Sequence, residues 1–284
     1  MGCDVDLYHP EVREELVAWG KWFVDTTNVD GFRLDALKHI PYSFVRDWLN
    51  TIRTHFGGRE LFAVGEYWSA DVGALRHFLG ETQYTMQLFD VPLHFRFVQA
   101  SKSGSEFDLT TIFDHTLVTD MPTIAVTFVD NHDTQPGAGL ESWVEPWFKP
   151  LAYAMILLRE VGYPCVFAGD YFGGDTPNGK LDSHQLLIDR MLEARRKYGY
   201  GEEIDYFDHP NCIAWLRTGD EEHPGAKVVV LSNGDSGIKR IKTLKPNAVF
   251  KDVTGHSLDE IRTDENGEAD FTCPGRSVSV WVQQ

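Results

Sequence analysis

Short apolar segments alternate with amphipathic stretches through the first 202 residues of the chain. Five of the apolar segments end at an acidic residue, and these are Val29–Asp35, Leu61–Glu66, Thr85–Asp90, Ile124–Asp133 and Cys165–Asp170. One βα unit takes about 30 residues, and the acidic ends follow one another at roughly that interval. The pattern therefore predicts consecutive βα units whose strands form one parallel sheet.

The amphipathic stretches predict helices. Pro10 opens the first of them, and apolar residues then recur at intervals of three and four, namely Val12, Leu16, Trp19 and Phe23. Similar stripes predict further helices over residues 44–56, 147–161 and 184–197. We expect the last of these to stop near Gly199.

After about residue 202 the pattern changes to alternation with a period of two. Residues 212–219, 226–234, 238–244, 248–253 and 277–282 form runs typical of strands, and Asn-Gly pairs at 233–234 and 266–267 favour tight turns. We therefore predict a partial (β/α) barrel domain over residues 1–202 and an all-β domain over 203–284, a small sandwich.

Charge and composition narrow the partners. The net charge of −17 disfavours nucleic acid, whereas a neutral polymer is indifferent to it and a cation such as Ca²⁺ is attracted. The sequence contains no run of 18 apolar residues, so it predicts no membrane span. Its first residues show no signal-peptide pattern. Four cysteines, Cys3, Cys165, Cys212 and Cys273, lack the spacing of a zinc site, and we expect Cys165 and Cys273 to be core residues.

Acidic residues at the carboxyl ends of parallel strands would crowd carboxylates at one rim. Such crowding favours either a carboxylate-based hydrolase or a metal site. Arg33 and Asp35 are two residues apart on a strand and share a face, which suits an ionised nucleophile but also an ordinary ion pair. Glu66 is followed by Tyr67-Trp68, which suits a general acid but also a surface carboxylate.

Two carboxylates match the chemistry of glycoside cleavage. In a retaining enzyme the acid and the nucleophile stand only about 5–5.5 Å apart, and adjacent barrel strands can deliver that separation. The run FVDNHD places Asn131 and Asp133 on one predicted strand face, with His132 between them. Taken alone, His132 is more typical of a structural histidine.

Three motifs carry a resemblance to a known family. GFRLDALKH, VGEYW and FVDNHD resemble, in order and spacing, signature regions of the α-amylase family of retaining glycoside hydrolases, and the bacterial liquefying α-amylases in particular. The resemblance implies that Asp35 is the nucleophile, Glu66 the general acid/base, and Asp133 the carboxylate that stabilises the transition state.

The resemblance also implies secondary roles. Sugar contacts fall to Arg33, Lys38, His39, Trp68, His132 and Gln135, with Arg33 orienting the nucleophile. A calcium ion is implied on Asp4, Asp6 and the backbone carbonyl of His39, because Ca²⁺ prefers oxygen ligands. The alternative for Asp4 and Asp6 is a solvated loop.

The resemblance begins just before the fourth strand of the family's barrel, so we expect strands 4–8 here. Open strand edges then predict a homo-oligomer that covers them. The function implied is an endo-acting α-amylase on starch-like α-1,4-glucans or maltooligosaccharides, extracellular by resemblance, although a cytoplasmic location is also open. A catalytically weak, carbohydrate-binding fragment is the first alternative. An unrelated metal-dependent hydrolase using Asp4, Asp6, His132 and Asp133 is the second.

Overall fold

The computed structural model describes residues 5–176 and 178–284. It divides into two compact units, one within Met1–Pro92 and His115–Val126, the other within Leu93–Asp114 and Thr127–Gln284. The described residues form helices α1 Pro10–Thr27, α2 Tyr42–His55, α3 Val72–Glu81, α4 Val91–Ser103, α5 Leu117–Asp120, α6 Lys149–Leu158, α7 Ala168–Phe172 and α8 Gln185–Tyr198. None of these is long and apolar enough to cross a membrane.

The described strands fall into a parallel and an antiparallel group. In chain order they are β1 Gly31–Leu34, β2 Phe62–Gly65, β3 Gln87–Phe89, β4 Ala125–Phe128, β5 Tyr163–Cys165, β6 Gly174–Thr176, β7 Gly179–Leu181, β8 Glu203–Tyr206, β9 Cys212–Arg217, β10 Lys227–Ser232, β11 Gly237–Lys242, β12 Val249–Asp252, β13 Glu260–Arg262, β14 Glu268–Cys273 and β15 Ser277–Gln283.

The first five strands form one sheet in chain order, β1-β2-β3-β4-β5. The pairs β1–β2, β2–β3 and β3–β4 are parallel, as expected of strands joined by helical crossovers. The prediction of part of a (β/α) barrel followed by antiparallel β structure is therefore confirmed. Each of the first four predicted segments contains its strand, although the strand ends one or more residues before the acidic residue.

The fifth predicted segment is wrong. Strand β5 ends at Cys165, and most of the segment predicted to run to Asp170 forms the turn into helix α7 and its first residues. The Asp170 carboxylate accepts hydrogen bonds from Lys149 and, at 2.7 Å, from the Tyr153 hydroxyl. Asp170 therefore lies in helix α7 with buried partners, and these tertiary contacts outweigh the local pattern that predicted a strand.

The predicted helices are present, with adjusted ends. Helix α1 begins at Pro10, and α8 ends at Tyr198 just before Gly199, as expected. Helix α6 is shorter than the predicted span 147–161, and all its residues except Pro150 are buried. The expected stripe on α1 is only partly buried: Val12, Leu16 and Phe23 are half-buried and Trp19 is exposed. The fully buried residues of this helix are Gly20 and Val24.

Strands β8 to β15 form a sandwich, as predicted, while β6 and β7 form a separate antiparallel pair. A six-stranded sheet, β13-β12-β15-β10-β9-β8, faces the two-stranded sheet β11-β14. Their facing side chains form one apolar core that includes Leu216, Val230, Ile241, Phe271 and Trp281. The two Asn-Gly pairs lie in the connections before β11 and β14. The domain boundary between residues 202 and 203 stays a prediction.

Cys165 and Cys273 were both expected in the core. Cys273 is buried at 3% exposure, which confirms the expectation, whereas Cys165 at the end of β5 is exposed. Cys165 follows Pro164 in a three-residue strand whose side chains are only partly covered, so the apolar run around it does not mark a buried position.

Lys227, at the start of β10, is fully buried. Its ammonium donates to the carbonyl oxygen of Leu158 at 3.2 Å, and in the described part of the chain no carboxylate lies within ion-pair distance. Burial lowers the pKa of Lys227 from 10.5 to about 7, with the nearby charges of Arg217 and Arg195 adding to the effect. The folded state therefore binds fewer protons than the unfolded state between about pH 7 and 10.

We expect the free energy of unfolding to rise with pH through that window, since stability increases wherever the unfolded state binds more protons. Lys227→Met should flatten this rise and increase the free energy of unfolding below pH 7 by about 1–4 kcal/mol, because a buried charge is removed. Urea denaturation across this pH range measures both effects. Lys242→Met, on an exposed position of β11, is the control and should keep the wild-type slope.

Candidate active site

Asp35 and Glu66 follow directly after neighbouring parallel strands. Leu34 of β1 pairs with Gly65 of β2, so the next residue of each strand, Asp35 and Glu66, stands at the same level. The Glu66 amide donates to the Leu34 carbonyl at 2.8 Å, which extends the pairing by one residue. Neighbouring strands lie about 4.8 Å apart, so the register brings the two carboxylate-bearing residues side by side.

The turn after β1 holds Glu66 in place. Ala36 has a left-handed φ of 50°, unusual for a residue with a Cβ, and it carries its amide toward Glu66. The Ala36 amide donates to Glu66 Oε2 at 2.9 Å, and the Leu37 amide donates to the Glu66 carbonyl, also at 2.9 Å. The side chain and the backbone of Glu66 are thus both fixed by the segment that follows Asp35. Sequence analysis did not predict this turn.

Arg33 forms an ion pair with Asp35, as their spacing suggested. The Asp35 side chain is 71% exposed, and that of Arg33 is 36% exposed. Both residues border an apolar cavity of about 180 Å³, whose other walls include Leu16, Trp19 and Trp48. A ligand with one polar and one apolar face could bind here: the polar face would contact Asp35 and Arg33, and the apolar face would pack on the apolar wall.

The other predicted residues of this unit lie on the same loops. The Lys38 ammonium donates to the Trp68 carbonyl at 3.5 Å, which links the loop after β1 with the loop after β2. Trp68 is half-buried, and His39 is exposed at the end of a short 3-10 turn, Leu37–His39. Arg33, Asp35, Lys38, Glu66 and Trp68 therefore form one group in the first unit.

His132, Asp133 and Gln135 belong to the second unit. The expectation that Asn131 and Asp133 extend a strand is wrong, because β4 ends at Phe128 and the segment turns. The Asn131 side-chain oxygen accepts from the amides of Asp133 at 2.8 Å and Thr134 at 3.0 Å, which closes the turn. His132 Nε2 lies 3.3 Å from Asp133 Oδ2, and these side chains are 64% and 42% exposed. Gln135 is half-buried in the same loop.

A buried ionic network underlies this turn, and sequence analysis missed it. Asp130 accepts from the Thr134 hydroxyl at 2.8 Å, and its other oxygen lies 3.1 Å from the Lys149 ammonium. Lys149 also pairs with Asp170, which accepts from Tyr153. All five residues are almost fully buried. A lysine inside the otherwise apolar helix α6, with acidic residues in the flanking segments, was the signal that could have revealed it.

Burial shifts the pKa values of two side chains in this region. Burial raises the pKa of Asp130 to about 7, with Lys149 acting in the opposite direction. Burial also lowers the pKa of His94 to about 4; this ring lies 2.6 Å from the Val129 carbonyl and 2.9 Å from the Ser142 hydroxyl. The neutral ring of His94 therefore bridges the end of β4 and the segment before α6.

Lys149→Met should destabilise the protein strongly, because it leaves Asp130 and Asp170 buried without their shared cation. We expect the free energy of unfolding to fall by about 3–5 kcal/mol, measured by urea denaturation at neutral pH. The matched control is Lys197→Met, which breaks an exposed ion pair with Glu193 on α8 and should change little. Equal effects of the two substitutions would contradict the role given to Lys149.

Not every acidic strand end is available for chemistry. The buried carboxylate of Asp90 accepts from the amides of Leu117 at 3.1 Å and Val118 at 2.7 Å, so it caps the start of α5. Asp170 is committed to Lys149 and Tyr153. Asp35, Glu66 and Asp133 are the acidic ends that keep contact with solvent.

The predicted calcium ligands do not make a site within the described residues. Asp4 lies outside them. The Asp6 side chain accepts from the Tyr8 amide at 2.9 Å and is exposed, as in an ordinary turn before a helix. Across residues 5–176 and 178–284, no three acidic, histidine or cysteine side chains are close enough to share a metal ion. Calcium remains a prediction of the resemblance.

The fold combines a parallel sheet, with an exposed Asp35 and a half-buried Glu66 directly after neighbouring strands, and a β-sandwich. It defines a (β/α) protein of the class that places functional groups at the carboxyl ends of its strands. The family model described as the alpha amylase catalytic domain matches residues 2–272. The chain belongs to the alpha-amylase family.

Known proteins support this assignment over nearly the whole chain. The chain is 52% identical to an alpha-amylase of Geobacillus stearothermophilus, with 99% of this chain and 51% of that protein covered. It is 45% identical to the cytoplasmic alpha-amylase of Escherichia coli strain K12, with 99% and 59% covered. An Anoxybacillus alpha-amylase structure matches with a TM-score of 0.74 at 21% identity, covering 99% of this chain and 64% of that one. The chain thus spans little more than half the length of these curated relatives.

Proposed function

We propose that the chain supplies the hydrolytic carboxylates of an α-amylase that cleaves α-1,4-glucosidic bonds of starch-like glucans within the polymer and with retention. The support is the pair Asp35 and Glu66 at neighbouring strand ends, together with relatives that are named alpha-amylases. For the cellular location of this protein, the motif resemblance favours secretion. One relative, that of Escherichia coli, is named cytoplasmic, so a cytoplasmic location is the alternative.

In the proposed reaction, Glu66 protonates the leaving glycosidic oxygen while Asp35 attacks the sugar carbon. A covalent glycosyl-enzyme forms, and water activated by the same glutamate then hydrolyses it. Arg33 orients Asp35 through their ion pair. The hydrogen bond from Ala36 to Glu66 Oε2 leaves the other carboxyl oxygen to carry the proton.

The remaining sugar contacts are proposed from the motif resemblance. Lys38 and His39 would bind on the leaving-group side, His132 and Asp133 would contact the sugar, and Trp68 and Gln135 would line the sugar cleft. Asp133 would stabilise the developing positive charge of the transition state.

Asp35→Asn and Glu66→Gln should each reduce reducing-sugar release from soluble starch by roughly 10³-fold or more, because each removes a group that takes part in bond cleavage. The matched controls are Asp25→Asn on helix α1 and Glu60→Gln just before the amino end of β2. Both are exposed carboxylates that do not follow the carboxyl end of a strand, and both variants should keep wild-type turnover. Circular dichroism of all four variants checks folding. Turnover that survives in both site variants would refute the assignment.

A carbohydrate-binding function without turnover is the second candidate. The chain spans little more than half the length of its curated relatives, so their activity as whole proteins comes to it only as a proposal. Affinity for soluble starch in gel electrophoresis, combined with no reducing-sugar release by the wild-type chain, would favour this candidate over the first.

We also propose that the chain forms a homo-oligomer. Strand β1 stands at the end of the sheet order, and helix α1 next to it in the chain exposes Trp19 at 48% and Trp22 at 58%. An edge strand beside exposed aromatic rings is a surface that another copy can cover.

Size-exclusion chromatography with light scattering tests this proposal. We expect a mass that is a multiple of 32.3 kDa. The double variant Trp19→Ser/Trp22→Ser should shift the species toward the monomer, since it removes the exposed apolar surface. A wild-type chain that elutes as a monomer at every concentration would overturn the proposal.

A further inference from the structure

Two cysteines meet in the core of the β-sandwich. Cys212 is the first residue of β9 in the six-stranded sheet, and Cys273 is the last residue of β14 in the facing sheet. Their exposures are 7% and 3%, and both belong to the same apolar core. The two sulfurs are therefore brought together across the sandwich, although 60 residues separate them in the chain.

Gly237 allows the sulfurs to approach. It pairs with Cys273 in the β11–β14 ladder, and a Cβ placed on it would collide with the Cys212 Sγ and stand 3.3 Å from the Cys273 Sγ. Both sulfurs thus lie against the same backbone position. The two thiols also shift each other's pKa.

The two thiols have different surroundings. The Cys273 thiol lowers the pKa of Cys212; burial opposes this, and the nearby Lys239 ammonium adds to the lowering. The Cys212 thiol and burial raise the pKa of Cys273. Lys239 is itself 7% exposed and pairs with Asp208. A cation near Cys212 favours its thiolate form.

Cys212 lies at the edge of the core. It is buried, but it lines a surface cleft of about 360 Å³ together with His209, Asn233 and Arg276. Among the residues that line this cleft, Cys273 is not found. The arrangement therefore has the parts of a reactive dithiol: one cysteine at a cleft and near a cation, and a second cysteine beside the same backbone position, Gly237.

We propose that Cys212 and Cys273 form a redox-active dithiol, which a small disulfide such as oxidised glutathione converts into a disulfide between the two sheets. The Cys212 thiolate attacks one sulfur of the oxidant, whose S–S bond breaks and whose other half leaves as a thiolate that takes up a proton. The Cys273 sulfur then attacks the mixed disulfide at Cys212, gives its proton to solvent, and expels the second glutathione. In total, the two protein thiols lose two electrons and form a disulfide, and one glutathione disulfide gains these electrons and becomes two thiols.

The disulfide would cross-link β9 and β14 and so restrict the unfolded chain. We expect it to raise the melting temperature by roughly 5–10 °C. This property is independent of the glycosidase proposal, because neither cysteine belongs to the candidate active site.

The test uses the full chain with Cys3→Ser and Cys165→Ser, so that only the pair remains. After treatment with oxidised glutathione, intact mass should show the loss of two hydrogen atoms, and peptide mapping should show Cys212 joined to Cys273. The melting temperature should rise and return to its starting value with dithiothreitol. Two free thiols after oxidation, or one glutathione on each cysteine, would overturn the proposal.

Single substitutions separate the roles of the two thiols. In the same background, Cys273→Ser should trap one glutathione on Cys212, because no second thiol remains to expel it. Cys212→Ser should leave Cys273 unmodified over the same time. The reverse pattern would contradict the assigned order of attack, and circular dichroism of the reduced variants shows that serine leaves the sandwich folded.

Discussion

The parallel register between β1 and β2 is the constraint on which the candidate site depends. It sets Leu34 opposite Gly65, and the hydrogen bond from the Glu66 amide to the Leu34 carbonyl carries the pairing beyond the strands. The strained turn at Ala36 then returns an amide to the Glu66 side chain. Because the carboxyl ends of parallel strands share one edge, two carboxylate-bearing residues far apart in sequence follow directly after paired strand positions.

In the second unit, a buried cation plays the organising part. Lys149 lies between Asp130 and Asp170, and Asp130 in turn binds the Thr134 hydroxyl of the turn that carries His132 and Asp133. Burying three charges is costly unless each is paired and hydrogen-bonded, and here each is. The carboxylates of Asp130 and Asp170 are buried in this network, whereas Asp35, Glu66 and Asp133 keep contact with solvent.

The sequence could predict the elements whose signals are local or periodic. The spacing of acidic strand ends predicted the parallel sheet, and alternation with Asn-Gly turns predicted the sandwich. Three features could not be predicted, because each depends on contacts between residues far apart in the chain. Asp170 lies in a helix and pairs with the buried Lys149, Ala36 has a left-handed backbone conformation, and Cys212 and Cys273 lie against the same backbone position. Asp35, Glu66 and Asp133 could be predicted from sequence motifs. The structure shows in addition that the acidic residues Asp90 and Asp170 have buried partners and a structural role.

The central claim is that Asp35 is a nucleophile served by Glu66, and covalent trapping tests it most directly. An α-maltosyl donor that carries fluorine at the second carbon and a good leaving group should form a glycosyl-enzyme that hydrolyses slowly. Peptide mass spectrometry of the treated chain should find one maltosyl adduct, on the peptide that contains Asp35. An adduct on another residue, or rapid turnover of the donor in Asp35→Asn, would contradict the account.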